Sequence, residues 1–286
     1  MVPALGRTSS CDVQGRARGV AACRGAPHMT PLQVIIGVLV GFVAGMGSGL
    51  FGVGGGTVTT PAIDVLLGGT AIQAVATPLP VMFPTSVVGA ITYGRAGEVS
   101  FRAFRWAVGP GIVGAIAGAA LTEVVNAHLL LVITSFLIGW TGVEVIRGRR
   151  PRVPWKLGMT PGWKYAAIGL VAGFVSGLLG IGGGVIMVPA FTTFIGMPLK
   201  RALGTSLVTI SALVVPGTIV HAALGHIDWA IFLVLTAGVI PGARVGAKIA
   251  LGAKEGTLRV AVGAFLLAIS VLYGVRELAS LVRGPG

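Results

Sequence analysis

The chain has 286 residues, 54% of them hydrophobic and 10% charged, with 47 glycines and a mean hydropathy of +0.93. Soluble domains carry about 25% charged residues, so this composition excludes an ordinary soluble enzyme and points to an all-α polytopic membrane protein. The formal net charge is +13, but the basic residues gather in short gaps between apolar runs. There they are topology signals rather than a nucleic-acid footprint.

Residues 1–28 hold Arg7, Arg16, Arg18 and Arg24 without a sustained apolar run. A signal peptide needs an apolar core of about 7–15 residues, so this stretch reads as a disordered N-terminal tail. Met29 directly precedes the first membrane segment and is an alternative start. The two cysteines, Cys11 and Cys23, both lie in this tail and suggest neither a disulfide scaffold nor a metal site.

Residues 32–53 form the first apolar segment and end in a glycine triplet. Residues 57–67 are too few to cross alone, since a span needs about 20 apolar residues. They read as half of a hairpin or broken helix whose tip is the triplet. Residues 71–93 are punctuated by Pro78, Pro80 and Pro84 and are expected to kink. Segments 103–122 and 127–147 follow, separated by a turn at Asn126.

The linker contains Arg147, Arg149, Arg150, Arg152, Lys156 and Lys164 with three prolines. The series then restarts as 165–180, 185–196, 201–223, 228–250 and 257–280. This gives a first membrane repeat over 29–147, a basic cytoplasmic linker over 148–164 and a second repeat over 165–286.

One stretch organises both repeats. It reads Gly-Met-Gly-Ser-Gly-Leu-Phe-Gly-Val-Gly-Gly-Gly over 45–56, with Pro61 beyond it. It returns as Gly-Phe-Val-Ser-Gly-Leu-Leu-Gly-Ile-Gly-Gly-Gly over 173–184, with Pro189, at an offset of 128. Thr77 and Thr205, Gly89 and Gly217, Gly97 and Gly225, Gly114 and Gly242, and Gly118 and Gly246 keep the same offset. An ungapped register over five segments is the mark of duplication. The fragment Gly47-Ser48-Gly49-Leu50-Phe51-Gly52 has the spacing of a dinucleotide loop but lacks the strand and soluble helix that such a loop requires.

Single glycines in such segments serve close helix packing. Adjacent glycines interrupting an apolar run in both halves instead point to a transporter binding site. The freed amides of Gly54, Gly55 and Gly56, and of Gly182, Gly183 and Gly184, are suited to an anion, because lipid offers them no partner. Hydroxyls of Ser48, Ser176, Thr77, Thr205 and Ser206 are candidates to complete the shell. A lone hydroxyl in a helix commonly bonds its own backbone, so the adjacent pair Thr205-Ser206 carries more weight than isolated ones.

The loop charges alternate between halves. Arg95, Arg102 and Arg105 mark 94–105 as cytoplasmic, whereas its counterpart at 225–228 has no Lys or Arg. The gaps at 67–71 and 123–128 are uncharged by Lys or Arg, whereas their counterparts carry Lys200 and Arg201, and Lys248 and Lys254. The expected architecture is two inverted-topology repeats of about five apolar segments, with both termini outside.

Asp64 reads as the sole acid in a segment interior, either a coupling site for a proton or sodium ion or an interfacial cap. His221 is a second coupling candidate as a proton carrier, with a substrate donor and, favoured by its place near the outer end of its helix, an interface residue as alternatives. Arg244, one turn before Lys248, is expected to snorkel. Tyr93, Trp106, Trp155, Trp163 and Trp229 sit where interfacial belt aromatics sit.

The doubled glycine motif, with Ala202-Leu203-Gly204-Thr205-Ser206-Leu207, resembles the sulfite exporter TauE/SafE family, also called the toluene-sulfonate uptake permease superfamily. The resemblance covers roughly residues 32–280. The first copy departs at Met46-Gly47 and Thr77-Pro78. The resemblance implies transport of small sulfur-containing anions such as sulfite or sulfonates. No catalytic constellation, cofactor motif or metal-ligand spacing is present, so a non-enzymatic secondary transporter of the cell inner (cytoplasmic) membrane is expected. Its partners would be a small anion, the bilayer, a coupling cation and a second copy in a homodimer. The rivals are an anion channel and a non-transporting membrane assembly subunit.

Overall fold

The computed structural model describes residues 31–56, 59–60, 63, 76–122, 136, 139–140, 142–147, 160–179, 182–223, 225 and 227–283. The tail, Asp64, Trp155 and most of the 57–75 and 123–159 stretches lie outside these. Eight helices organise the described residues: α1 (Pro31–Phe51), α2 (Pro78–Arg95), α3 (Phe101–Thr122), α4 (Gly162–Leu179), α5 (Gly184–Thr193), α6 (Leu199–Ala223), α7 (Trp229–Gly252) and α8 (Glu255–Arg283). No strand occurs among the described residues. α1, α3, α6 and α7 are each long and apolar enough to cross a membrane. α5, at ten residues, spans about 15 Å, half a bilayer core.

Glycine spacing fixes the main helix pairs. Along α1, Gly41, Gly45 and Gly49 face the carbonyls of Leu235, Val239 and Ala243 in α7. In return, Gly238, Gly242 and Gly246 of α7 face the carbonyls of Val38, Phe42 and Met46. A Cβ at any of these six would overlap backbone, so α1 and α7 approach as closely as helices can. The opposite face of α1, with Leu32, Ile35, Leu39 and Val43, is exposed. Apolar residues outward and glycine inward is the pattern lipid imposes.

The same interlock recurs 128 residues away. Gly169, Gly173 and Gly177 of α4 face the carbonyls of Ala107, Gly111 and Ala115 in α3, and Gly114 and Gly118 face Leu170 and Phe174 in return. Each pair thus joins a helix of one half to a helix of the other.

α2 and α6 cross at the centre. Gly89 packs on Leu207, and Gly217 on Leu79. The two contacts are equivalent under the 128-residue offset and run in opposite directions, so the two helices are antiparallel. The prolines of α2 fall where they cost little: Pro78 and Pro80 occupy the first turn, whose N–H groups have no helical acceptor anyway. Only Pro84 lies further in, and the helix continues past it to Arg95.

The basic segments meet at one end. Arg201 lies 3.5 Å from Glu98 and donates to the Gly97 carbonyl at 3.1 Å. Lys200 donates to the Leu251 carbonyl near the end of α7. At the other end of α2, Asp228 caps α7 by accepting from Ala230 and Ile231, and its own N–H reaches Thr77.

One sequence expectation needs correction. Tyr93 is fully buried rather than interfacial: its hydroxyl donates to the Gly49 carbonyl at 2.9 Å, serving a helix-end carbonyl that would otherwise be an orphan. Trp106, Trp163 and Trp229 are exposed, as belt residues are. Glu144, near the end of the 127–147 segment, lies in the helical residues 142–147 with one carboxylate oxygen shut from solvent.

Candidate functional site

Both glycine motifs break their helices in the same way. The last turn of α1 closes with the Gly52 N–H on the Ser48 carbonyl at 2.8 Å. The backbone then takes positive φ at Gly52, Gly54 and Gly55, +66°, +92° and +86°. Helix resumes at Gly56, with Thr59 bonded back to the Gly55 carbonyl. In the second copy Gly182 and Gly183 have φ of +84° and +70°, and Gly183 is the left-handed N-cap of α5. Residues with a Cβ rarely adopt these values, so Gly52, Gly54, Gly55, Gly182 and Gly183 are required by dihedral geometry rather than by packing alone.

The two breaks lie against each other. A Cβ on Gly184 would fall on the Gly52 carbonyl oxygen and 2.8 Å from Val53 Cα. The Ser206 hydroxyl reaches the Gly52 carbonyl at 2.9 Å. Met82 and Ile210, equivalent at the 128-residue offset, close over the breaks. A Cβ on Gly182 would overlap the Met82 methyl, and one on Gly54 would stand 2.8 Å from it and 3.2 Å from Ile210.

Among the described residues, the amides of Gly54, Gly55, Gly182 and Gly183 donate no hydrogen bond. Ser48 is 2% exposed, and its hydroxyl, shut from solvent, has no partner among the described residues. Among the described residues Thr236 shares this state, but most helix hydroxyls do not. Thr85, Thr92, Thr192, Thr209 and Thr218 all donate to the carbonyl four residues back. Ser48 instead lies beside Gly55, its Cβ 3.6 Å from where a Cβ would project. Ser176 stands in the same relation to Gly183, at 3.3 Å. None of the nearest atoms around either break belongs to a charged side chain.

The remaining candidates fall elsewhere. Thr205 and Thr77 accept backbone N–H groups at the N-terminal ends of α3 and α7, and so join the halves at opposite ends. His221 is half-buried in the last turn of α6, about three turns beyond Ile210. Asp64 lies outside the described residues. No group of His, Cys, Asp and Glu suited to a metal occurs among the described residues. Met82 and Ile210 escaped sequence reasoning because an apolar residue in an apolar helix carries no signal. Glu144 was legible, as an acid in an apolar run three residues before Arg147.

Membrane-length helices, halves interlocked through glycine and paired backbone breaks at their junction define a polytopic membrane transporter. The chain belongs to the sulfite exporter TauE/SafE family, whose model matches residues 37–273. It is 27% identical over 260 residues to a probable membrane transporter protein of Xylella fastidiosa, covering 89% of this chain and all of that one. Probable membrane transporter protein YunE of Bacillus subtilis is 27% identical, over 76% of this chain and 89% of its own. YfcA of Escherichia coli, described likewise, is 25% identical over 82% and 85%. The protein is therefore a multi-pass membrane transporter and not an enzyme.

Proposed function

We propose that the chain is a secondary carrier of a small sulfur-containing anion, sulfite or a sulfonate, held at the facing glycine breaks between two inverted repeats. The observation that carries this reading is the Ser48 hydroxyl. A buried hydroxyl without a partner costs about 1–3 kcal/mol, and here it lies beside amides that also lack acceptors. Donors without acceptors call for an anion, and α5 adds the positive end of its dipole at Gly183.

The inverted arrangement is supported by the antiparallel packing of α2 on α6 and by the gathering of Lys200, Arg201 and the 94–105 loop at one end. Closure of the breaks by Met82 and Ile210 favours a carrier over a continuously open channel.

The test is Ser48→Ala in purified protein. Thermal stability is expected to hold or rise, since an orphan hydroxyl is removed, while sulfite or sulfonate affinity falls about tenfold, or ~1.4 kcal/mol. Unchanged affinity in a folded variant would remove the breaks as the binding site.

A further inference from the structure

The two sides of the glycine breaks differ in chemistry. One side offers the amides of Gly54, Gly55, Gly182 and Gly183 and the unpaired Ser48 hydroxyl. On the other, Met82 and Ile210, the side chains nearest the Cβ positions of Gly54 and Gly182, belong to a buried apolar cluster with Leu79 and Val214. The equivalent residues that meet the breaks are also unlike in stiffness. Ile210 is β-branched and held in few rotamers. Met82 is unbranched, with three rotatable bonds, and adapts to what it packs against.

We infer that Met82 is the specificity-determining residue of this site. Its methyl group occupies the place of a guest's carbon arm, so the site takes a monoanion with its oxygens on one side and an apolar group on the other. This assignment rests on the breaks being the anion site. A tetrahedral dianion points oxygens in every direction. Those turned towards Met82 and Ile210 would lose water and gain no donor. Among the described residues no charged side chain is one of the nearest atoms to the breaks, and the cost of stripping an ion of water rises steeply with its charge. A guest with a small apolar arm displaces the Met82 side chain and replaces its contacts. Ile210 stays as the fixed wall.

The experiment is calorimetric titration of the full chain in lipid nanodiscs with methanesulfonate, propanesulfonate and sulfate. Methanesulfonate is expected to bind at least tenfold tighter than sulfate. Met82→Ala opens space and is expected to shift the preference towards propanesulfonate by about tenfold, whereas Met82→Leu keeps the parental order. Sulfate binding as tightly as methanesulfonate, or an unchanged arm preference in folded Met82→Ala, would overturn the role of Met82 while leaving the anion site standing. If the folded parent bound none of the three, the anion site itself would fall, and this assignment with it. The comparison of methanesulfonate with sulfate needs no variant, so it can overturn the assignment even if Met82→Ala does not fold, and Met82→Leu then carries the test of the side chain.

Discussion

The Thr205 hydroxyl accepts the backbone N–H of Ser100 at 2.9 Å, across 105 residues of chain. Its equivalent, Thr77, accepts the N–H of Asp228 at 3.2 Å. Ser100 and Asp228 are themselves 128 residues apart and stand just before α3 and α7. Each half thus supplies an acceptor to the first turn of a helix in the other. Thr205→Val keeps the shape and removes the acceptor, leaving a buried N–H without a partner. A loss of about 1–3 kcal/mol is expected, with a smaller loss for Thr77→Val, whose bond is longer and only part-buried. Thermal unfolding in detergent reads this directly, and a parental midpoint for Thr205→Val would contradict it.

Gly114→Ala and Gly242→Ala are expected to destabilise without changing anion affinity. The new Cβ would fall on the Leu170 carbonyl in one case and on that of Phe42 in the other, and overpacking of this kind costs about 1–3 kcal/mol. Gly109 makes the contrast: nothing lies within 4 Å of its added Cβ. Gly109→Ala should leave the midpoint nearly unchanged, because a helix-propensity gain of up to about 1 kcal/mol is opposed by crowding of the new Cβ against the ring of Pro110. Equal melting points for Gly114→Ala and Gly109→Ala would refute the packing argument.

Gly183→Val is expected to abolish anion binding. Its φ of +70° is hostile to a branched side chain, and a Cβ there would stand 2.7 Å from the Ala172 carbonyl oxygen. Gly55 has more room, the nearest atom being 3.6 Å away, but its φ is +86°. Gly55→Val should therefore act through the backbone angle and fail less severely. Titration of both variants at matched folded fraction separates the two; full affinity in folded Gly183→Val would contradict the site.

Cysteines placed at Gly97 and Gly225 should react with an impermeant maleimide from opposite sides of the membrane. Both positions open onto space, with nothing within 4 Å, and only the first adjoins an arginine-rich loop. Labelling from one side alone would rule out inverted repeats.

The sequence made the elements plain where lipid leaves little choice. The first apolar run, read as 32–53, is the helix Pro31–Phe51, and 201–223 is Leu199–Ala223. Duplication was equally legible, because the offset of 128 needs no structure to see. What could not be read was which glycines do what. Gly45 and Gly49 pack with helical backbone, whereas Gly54 and Gly55 have left-handed angles, yet all four look alike in sequence. The missing partner of Ser48 was illegible for a related reason: whether a hydroxyl bonds its own helix depends on side-chain rotation and neighbours, not spacing. Thr205 and Ser206 read as one pair, but adjacent helix positions point about 100° apart. One therefore reaches Ser100 and the other Gly52.

The glycine interlocks carry a consequence for ancestry. Gly45 sits on Val239 and Gly173 on Gly111, which is the exchange of contacts found where two copies of one subunit meet about a twofold axis. Among the described residues, each of these glycine faces is buried on a helix of the other half. On the proposed inverted-repeat reading, the molecule has the form of a dimer whose subunits were fused into one chain, each half serving as the other's folding partner. A half expressed alone would carry an unfilled groove whose best occupant is a second copy of the same half.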